Sequence, residues 1–169
     1  AYVFLPASGN TLVYSNASKN NGKGLDIFRV IKDQKGLWMF PEMLSEVINS
    51  IGDEAFPVIV NEGKTLYFSS KGSRSTGGYD IFRSDLDLST STWSEPVPMG
   101  PPINSPGDDF YYVPSVDNKF AYFSSNRESA AGKCDVYKVS IINETRNFIA
   151  ISGFFNCKSG LELSEAKVT

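Results

Sequence analysis

The chain has 169 residues, 41% apolar and 13% aromatic, with 14 Gly and 9 Pro, the composition of a turn-rich globular protein that favours β structure. Sixteen Lys and Arg against 19 Asp and Glu leave a net charge of -3 with the basic residues scattered, which argues against a phosphate-tracking nucleic-acid surface. Histidine does not occur, which excludes Ser-His-Asp and Cys-His catalysis and every His-bearing zinc site, and no apolar run reaches the length of a membrane-spanning helix.

In chain order, the first predicted strands are Thr11-Leu12-Val13-Tyr14-Ser15-Asn16 and Leu25-Asp26-Ile27-Phe28-Arg29, with Trp38 on an outer strand. In Pro41–Asn49, Met43, Leu44 and Val47 keep helical spacing. That stretch nevertheless aligns with a connection further along, so an irregular loop or one short turn is expected. Four short strands follow, near Ala55–Val60, Thr65–Ser69, Asp80–Ser84 and Trp93–Val97, with a tight turn at Asn61–Lys64 between the first two. Phe120–Ser125 and Cys134–Lys138 then repeat the second and third of these strands.

These segments are one unit written three times. Thr65–Ser70 lies 54 residues after Thr11–Asn16, and Phe120–Ser125 a further 55. Leu25–Arg29, Tyr79–Arg83 and Cys134–Lys138 keep the same offsets, while Ile48-Asn49-Ser50 returns as Ile103-Asn104-Ser105 and Asp53-Glu54 as Asp108-Asp109. A lone four-stranded sheet exposes two apolar faces and two edges, and units of this kind are covered by stacking radially around a channel. The expected fold is therefore all-β, a β-propeller of four-stranded antiparallel blades. About three blades are present, too few to close, and about six are expected in the full chain.

Gly63-Lys64-Thr65-Leu66-Tyr67-Phe68-Ser69-Ser70 followed by Gly77-Gly78-Tyr79-Asp80-Ile81-Phe82 resembles the WD40-like propeller repeat of the TolB type. Trp93-Ser94-Glu95-Pro96 leading to Ile103-Asn104-Ser105 and Asp108-Asp109 resembles the branch found in multidomain envelope proteins of Gram-negative bacteria. In that branch the domain order is TPR repeats, propeller, carboxypeptidase regulatory-like sandwich and an OmpA-type peptidoglycan-binding domain. The resemblance covers residues 1–146. Residues 147–169, with the alternating run Ile149–Phe155 and then Ala166-Lys167-Val168, are similar to the opening of the sandwich. The usual Asp and Thr-x-x-Pro-Leu between its first strands are absent.

The resemblance implies a periplasmic, outer-membrane-associated protein. It further implies envelope or secretion-machinery partners, type IX secretion components among them, and contact with peptidoglycan and membrane only through a domain and a lipid anchor outside this chain. It implies no cofactor. The expected role is a non-catalytic interaction scaffold. The rivals are the propeller of a prolyl-oligopeptidase-like hydrolase, which a Gly-x-Ser-x-Gly elbow elsewhere in the reading frame would reveal, and a TolB-like propeller whose mouth receives a peptide.

In a blade of strands a to d, the d-to-a and b-to-c connections share one end. Asn49, Asp53, Glu54, Asn104, Asp108 and Asp109 are thus expected beside Arg74 and Arg127, on a polar rim around the channel mouth. Two readings of the rim stay open. It is a partner- or peptide-binding mouth, or its side chains make Asx-turns, accept backbone N–H bonds and form ion pairs between blades. The acidic pairs lack the alternate-position spacing of a calcium loop, so no metal site is expected. Asp26, Asp80 and Asp135 are read as structural acceptors, Gly77-Gly78 as suppliers of positive φ, Trp38 and Trp93 as core, and Cys134 as a buried small hydrophobe. One Cys134–Cys157 bridge in an oxidising compartment stays open.

Overall fold

The computed structural model describes residues 1–17, 24–72, 74–127 and 134–141. They form three antiparallel sheets, none closed on itself. The first runs β1 (Tyr2–Phe4), β2 (Thr11–Ala17), β3 (Leu25–Ile31) and β4 (Glu42–Met43). In the second, β5 (Glu54–Val60), β6 (Thr65–Ser70) and β7 (Asp80–Asp87) are followed by two short strands, β8 (Thr92–Trp93) and β9 (Val97–Pro98), both paired with β7. The third comprises β10 (Asp109–Pro114), β11 (Phe120–Ser125) and β12 (Asp135–Ser140). Each sheet is a meander in sequence order, so neighbouring strands join through short connections.

Local chemistry explains the elements. Tyr, Phe, Val and Ile fill the strands because branched and aromatic side chains suit a pleated, buried surface. The turn after β5 takes left-handed backbone at Asn61, Glu62 and Gly63, with φ of 51°, 58° and 88°. The Pro41–Asn49 stretch forms β4 and then one turn, in which the N–H groups of Ile48 and Asn49 both donate to the Ser45 carbonyl. Leu44 and Ile48 are buried there. Their spacing reflects anchoring of a loop, not a helix.

Period-2 alternation in the middle sheet builds two cores. Ile59, Leu66, Phe68, Phe82 and Trp93 pack with Val13 and Ile27 of the first sheet and with Leu44 and Ile48. On the opposite face, Val58, Tyr67 and Ile81 pack with Ile103, Tyr112, Ala121 and Phe123. The sheets are therefore layered, with all of β6 buried because both faces of the middle sheet are covered. Leu66 and Phe68 face the first sheet, and the residues one repeat later, Ala121 and Phe123, face the second in the same sense.

The outer faces end this series. In the first sheet Tyr14 stacks on Phe28 at 5.4 Å, beside half-exposed Met43 and exposed Val3, on the side away from the core. In the third, Tyr122, Val113 and Val136 are exposed. Two expectations change for the same reason. Trp93 is buried at 8% exposure, but Trp38, its repeat equivalent, is 45% exposed, with the Lys32 ammonium 4.7 Å above its ring, because no described sheet covers that side. Cys134 is exposed rather than buried, since it leads into the edge strand β12. Cys157 and the sandwich over residues 147–169 lie outside the described residues.

Candidate functional site

Loops from successive sheets meet at one end of the molecule, and the eight rim residues read from the sequence all fall there. The connection entering β5 crosses to the first sheet, where the Asn49 side chain accepts from the Ile27 N–H (2.7 Å) and donates to the carbonyls of Ile27 (3.0 Å) and Leu44 (2.9 Å). One repeat later Asn104 accepts from the Ile81 N–H (2.9 Å) and donates to the Ile81 carbonyl (3.0 Å). Both amides are buried. Each behaves as a peptide group set sideways, closing the backbone of a neighbouring sheet's third strand.

Asp53 and Asp108 add a second strap. Asp53 Oδ1 accepts from the Leu25 N–H and Asp108 Oδ1 from the Tyr79 N–H, both at 2.9 Å. Asp53 also accepts from the Tyr79 hydroxyl at 3.3 Å. Burial together with the two aspartates raises the Tyr79 phenol well above its ordinary value of 10. Gly78 has to be glycine at this strap, because any Cβ would overlap the Asp108 carboxylate, and a Cβ on Gly77 would meet the Pro106 backbone at 2.6 Å. Neither has positive φ. The pair allows close approach between sheets and does not supply the left-handed backbone expected of it.

Glu54 and Asp109 diverge. Each is buried and held by a serine four residues earlier: Glu54 accepts from the Ser50 N–H (3.0 Å) and hydroxyl (2.6 Å), Asp109 from the Ser105 N–H (2.6 Å) and hydroxyl (2.9 Å). Asp109 also pairs with Arg127 at 2.9 Å. Glu54 takes the Ser70 hydroxyl (2.8 Å) and, among the described residues, no cation. Burial accordingly pushes its carboxyl above the ordinary 4.5, against the lowering effect of the serine bonds. Arg74 sits at the edge, half-exposed and paired with Glu95 at 3.3 Å. Asp80 accepts from the Thr76 N–H and hydroxyl, bracing its own loop.

Sequence reading missed an aromatic edge shared by the three sheets. Strand β5 bulges between Ala55 and Val58 and β10 between Phe110 and Val113, placing Phe56 and Tyr111 at φ of 52° and 59°. Tyr2, Phe56 and Tyr111 occupy equivalent repeat positions and touch in series: Tyr2 to Phe56 at 3.9 Å, Phe56 to Tyr111 at 4.6 Å. Left-handed aromatics are unusual, and such bulges re-aim side chains. The signal was the recurrence of an aromatic at the 54- and 55-residue offsets.

Among the described residues no group of three or more His, Cys, Asp or Glu is placed to hold a metal ion, and no helix is long and apolar enough to cross a membrane. No protein-family model matches the chain, and no curated protein sequence matches it.

Proposed function

We propose that the three sheets are successive blades of a β-propeller, and that it serves as a non-catalytic interaction module of a periplasmic, outer-membrane-associated envelope protein. The observation carrying the ring is repetition of the interface, not only of the strands. Sheet one meets sheet two, and sheet two meets sheet three, through equivalent apolar residues and equivalent Asn and Asp straps. A stacking rule that repeats with a constant sense generates a ring when each step also rotates. The uncovered face with Tyr14 and Phe28 has the character of the face that presents Phe68 and Phe82 to the first sheet. A further blade fits each end.

The scaffold role is supported by how the polar rim is engaged. Asn49, Asp53, Asn104 and Asp108 all bond backbone between sheets, which makes a rigid platform. Compartment and partners follow from the resemblance to TolB-type envelope repeats: secretion or envelope machinery, type IX secretion included, with peptidoglycan reached through a domain outside this chain. Fractionation of cells carrying the tagged full reading frame tests this. Recovery with the outer-membrane and peptidoglycan fraction is expected. Recovery in the cytosol, or a Gly-x-Ser-x-Gly hydrolase domain in the same frame, would refute it.

A further inference from the structure

Arg127 fastens the third sheet to the connection that enters it from the second. Its guanidinium donates to Asp109, to the Ser125 hydroxyl (2.9 Å) and to the carbonyls of Pro102 (2.6 Å) and Ile103. It also lies 5.0 Å from the Phe123 ring and 4.9 Å from Tyr137. Subtracting 55 from each partner gives Glu54, Ser70, Val47, Ile48, Phe68 and Phe82. All six line a single cavity of about 150 Å³ between the second sheet and the connection that enters it from the first.

The residue equivalent to Arg127 is Gly72, which lines the same cavity. The loop begins alike in both places: the Gly72 N–H donates to Ser70 Oγ at 2.9 Å, the Arg127 N–H to Ser125 Oγ at 3.2 Å. Only the side chain is missing. A Cβ at Gly72 would meet Ser50 Oγ at 2.9 Å, so a side chain here would first displace that hydroxyl. Arg74, two residues on, lines the same cavity from its exposed side, where it pairs with Glu95 and not with Glu54 and lies 6.0 Å from the Phe82 ring.

We propose that this cavity binds a guanidinium group from outside the described chain, an arginine side chain of a peptide or a small guanidino compound, seated against Glu54 and over Phe68 and Phe82. A planar cation suits a buried carboxylate beside stacked rings, here 5.9 Å apart, and a cavity of this volume accommodates a benzene-sized ring. The mouth reinforces the charge preference, with Glu46 and Glu95 against Arg74. The proposal is independent of ring closure.

The test is a titration of the full chain followed by amide chemical shifts. The probes are N-acetyl-arginine amide, methylguanidinium, a Gly-Gly-Arg-Gly-Gly peptide and the citrulline counterpart of the first. Saturable shifts at Ser50, Ser70 and Gly72 are expected with the three cations. The citrulline compound, which keeps shape but lacks charge, should bind at least about tenfold more weakly. Tighter binding of the peptide than of methylguanidinium would assign the source to a protein partner, and equal binding to a small guanidino compound. Glu54→Gln should weaken the cations by a similar factor. Equal binding of arginine and citrulline probes, shifts confined to other sites, or binding that emerges only in Arg74→Ala would overturn the proposal, the last because Arg74 would then fill the seat itself.

Discussion

Replacing Asn104 by alanine isolates the strap between the second and third sheets. The side chain makes two buried bonds, both to Ile81, whose own side chain is fully buried. Alanine leaves the buried Ile81 N–H without a partner, at a cost of roughly 1–3 kcal/mol, and removes one of two donors to the Ile81 carbonyl, a bond of roughly 0.5–1.5 kcal/mol, while the Met99 N–H still donates to that carbonyl at 3.0 Å. Partial relaxation of the loop brings the expected loss to about 2–4 kcal/mol. At about 2–4 °C per kcal/mol for a chain of this size, Tm should fall by about 5–15 °C. Asn49→Ala should cost more, since Asn49 holds the Leu44 carbonyl as well. Urea unfolding gives the energies, and hydrogen exchange at the Ile81 amide gives the local effect, which should accelerate in the Asn104 variant. A loss below about 0.5 kcal/mol with unchanged exchange, the behaviour of an ordinary surface site, would refute the view that these asparagines hold sheets together.

Three further outcomes follow from the same contacts. Gly78→Ala should destabilise by about 1–3 kcal/mol by forcing the Asp108 strap apart, and should restore part of the loss when Asp108 is also changed to alanine; additive losses would contradict the clash. Because burial raises the Glu54 pKa, the folded state holds that proton more tightly than the unfolded chain. Stability contributed by Glu54 should therefore fall as pH rises from the ordinary value of 4.5 through the raised one, and Glu54→Gln should flatten that slope in denaturant titrations across pH; an unchanged slope would dismiss the burial effect, to which nearby Asp26 adds. Trp93→Ala should cost about 3–5 kcal/mol, whereas Trp38→Ala should cost under about 1 kcal/mol in this chain; equal costs would contradict the uncovered outer face.

Most strands were legible because the repeat supplies them more than once, although the single outer strand expected near Trp93–Val97 is two short ones, Thr92–Trp93 and Val97–Pro98. Thr65–Ser70 and Asp80–Asp87 could be read against two other copies, so errors at the ends were only of one to three residues. The loop end shared by Asn49, Asp53, Asn104 and Asp108 was legible too, because strand alternation alone fixes it. What these side chains bond was not. Asn49 meets Ile27 across 22 residues, a partner set by how sheets stack and by no local pattern. The role of Gly77-Gly78 was misread for the same reason: clearance to Pro106 and Asp108, distant in sequence, governs the choice of glycine. The exposure of Trp38 and Cys134 likewise depends on which faces find a neighbour. Equivalent positions need not have equivalent surroundings at the ends of a stack.

The difference between Arg127 and Gly72 shows where a repeat carries information beyond architecture. Two strap positions, Asn49/Asn104 and Asp53/Asp108, recur and bond backbone in both interfaces. The Arg127–Asp109 pair is not repeated, and its absence leaves a buried carboxylate with serine partners alone and a cavity beside it. Departure from the repeat, more than the repeat itself, marks the site with chemistry to offer.

The most direct test of radial stacking is an experimental structure of the complete reading frame that contains this chain. A ring of wedges requires a further four-stranded sheet seated on Tyr14 and Phe28, and another on Tyr122 and Val136, each tied by an Asn strap of the Asn49 kind. If those faces were found against helices or in solvent, with the three sheets forming an open stack, the propeller would be excluded.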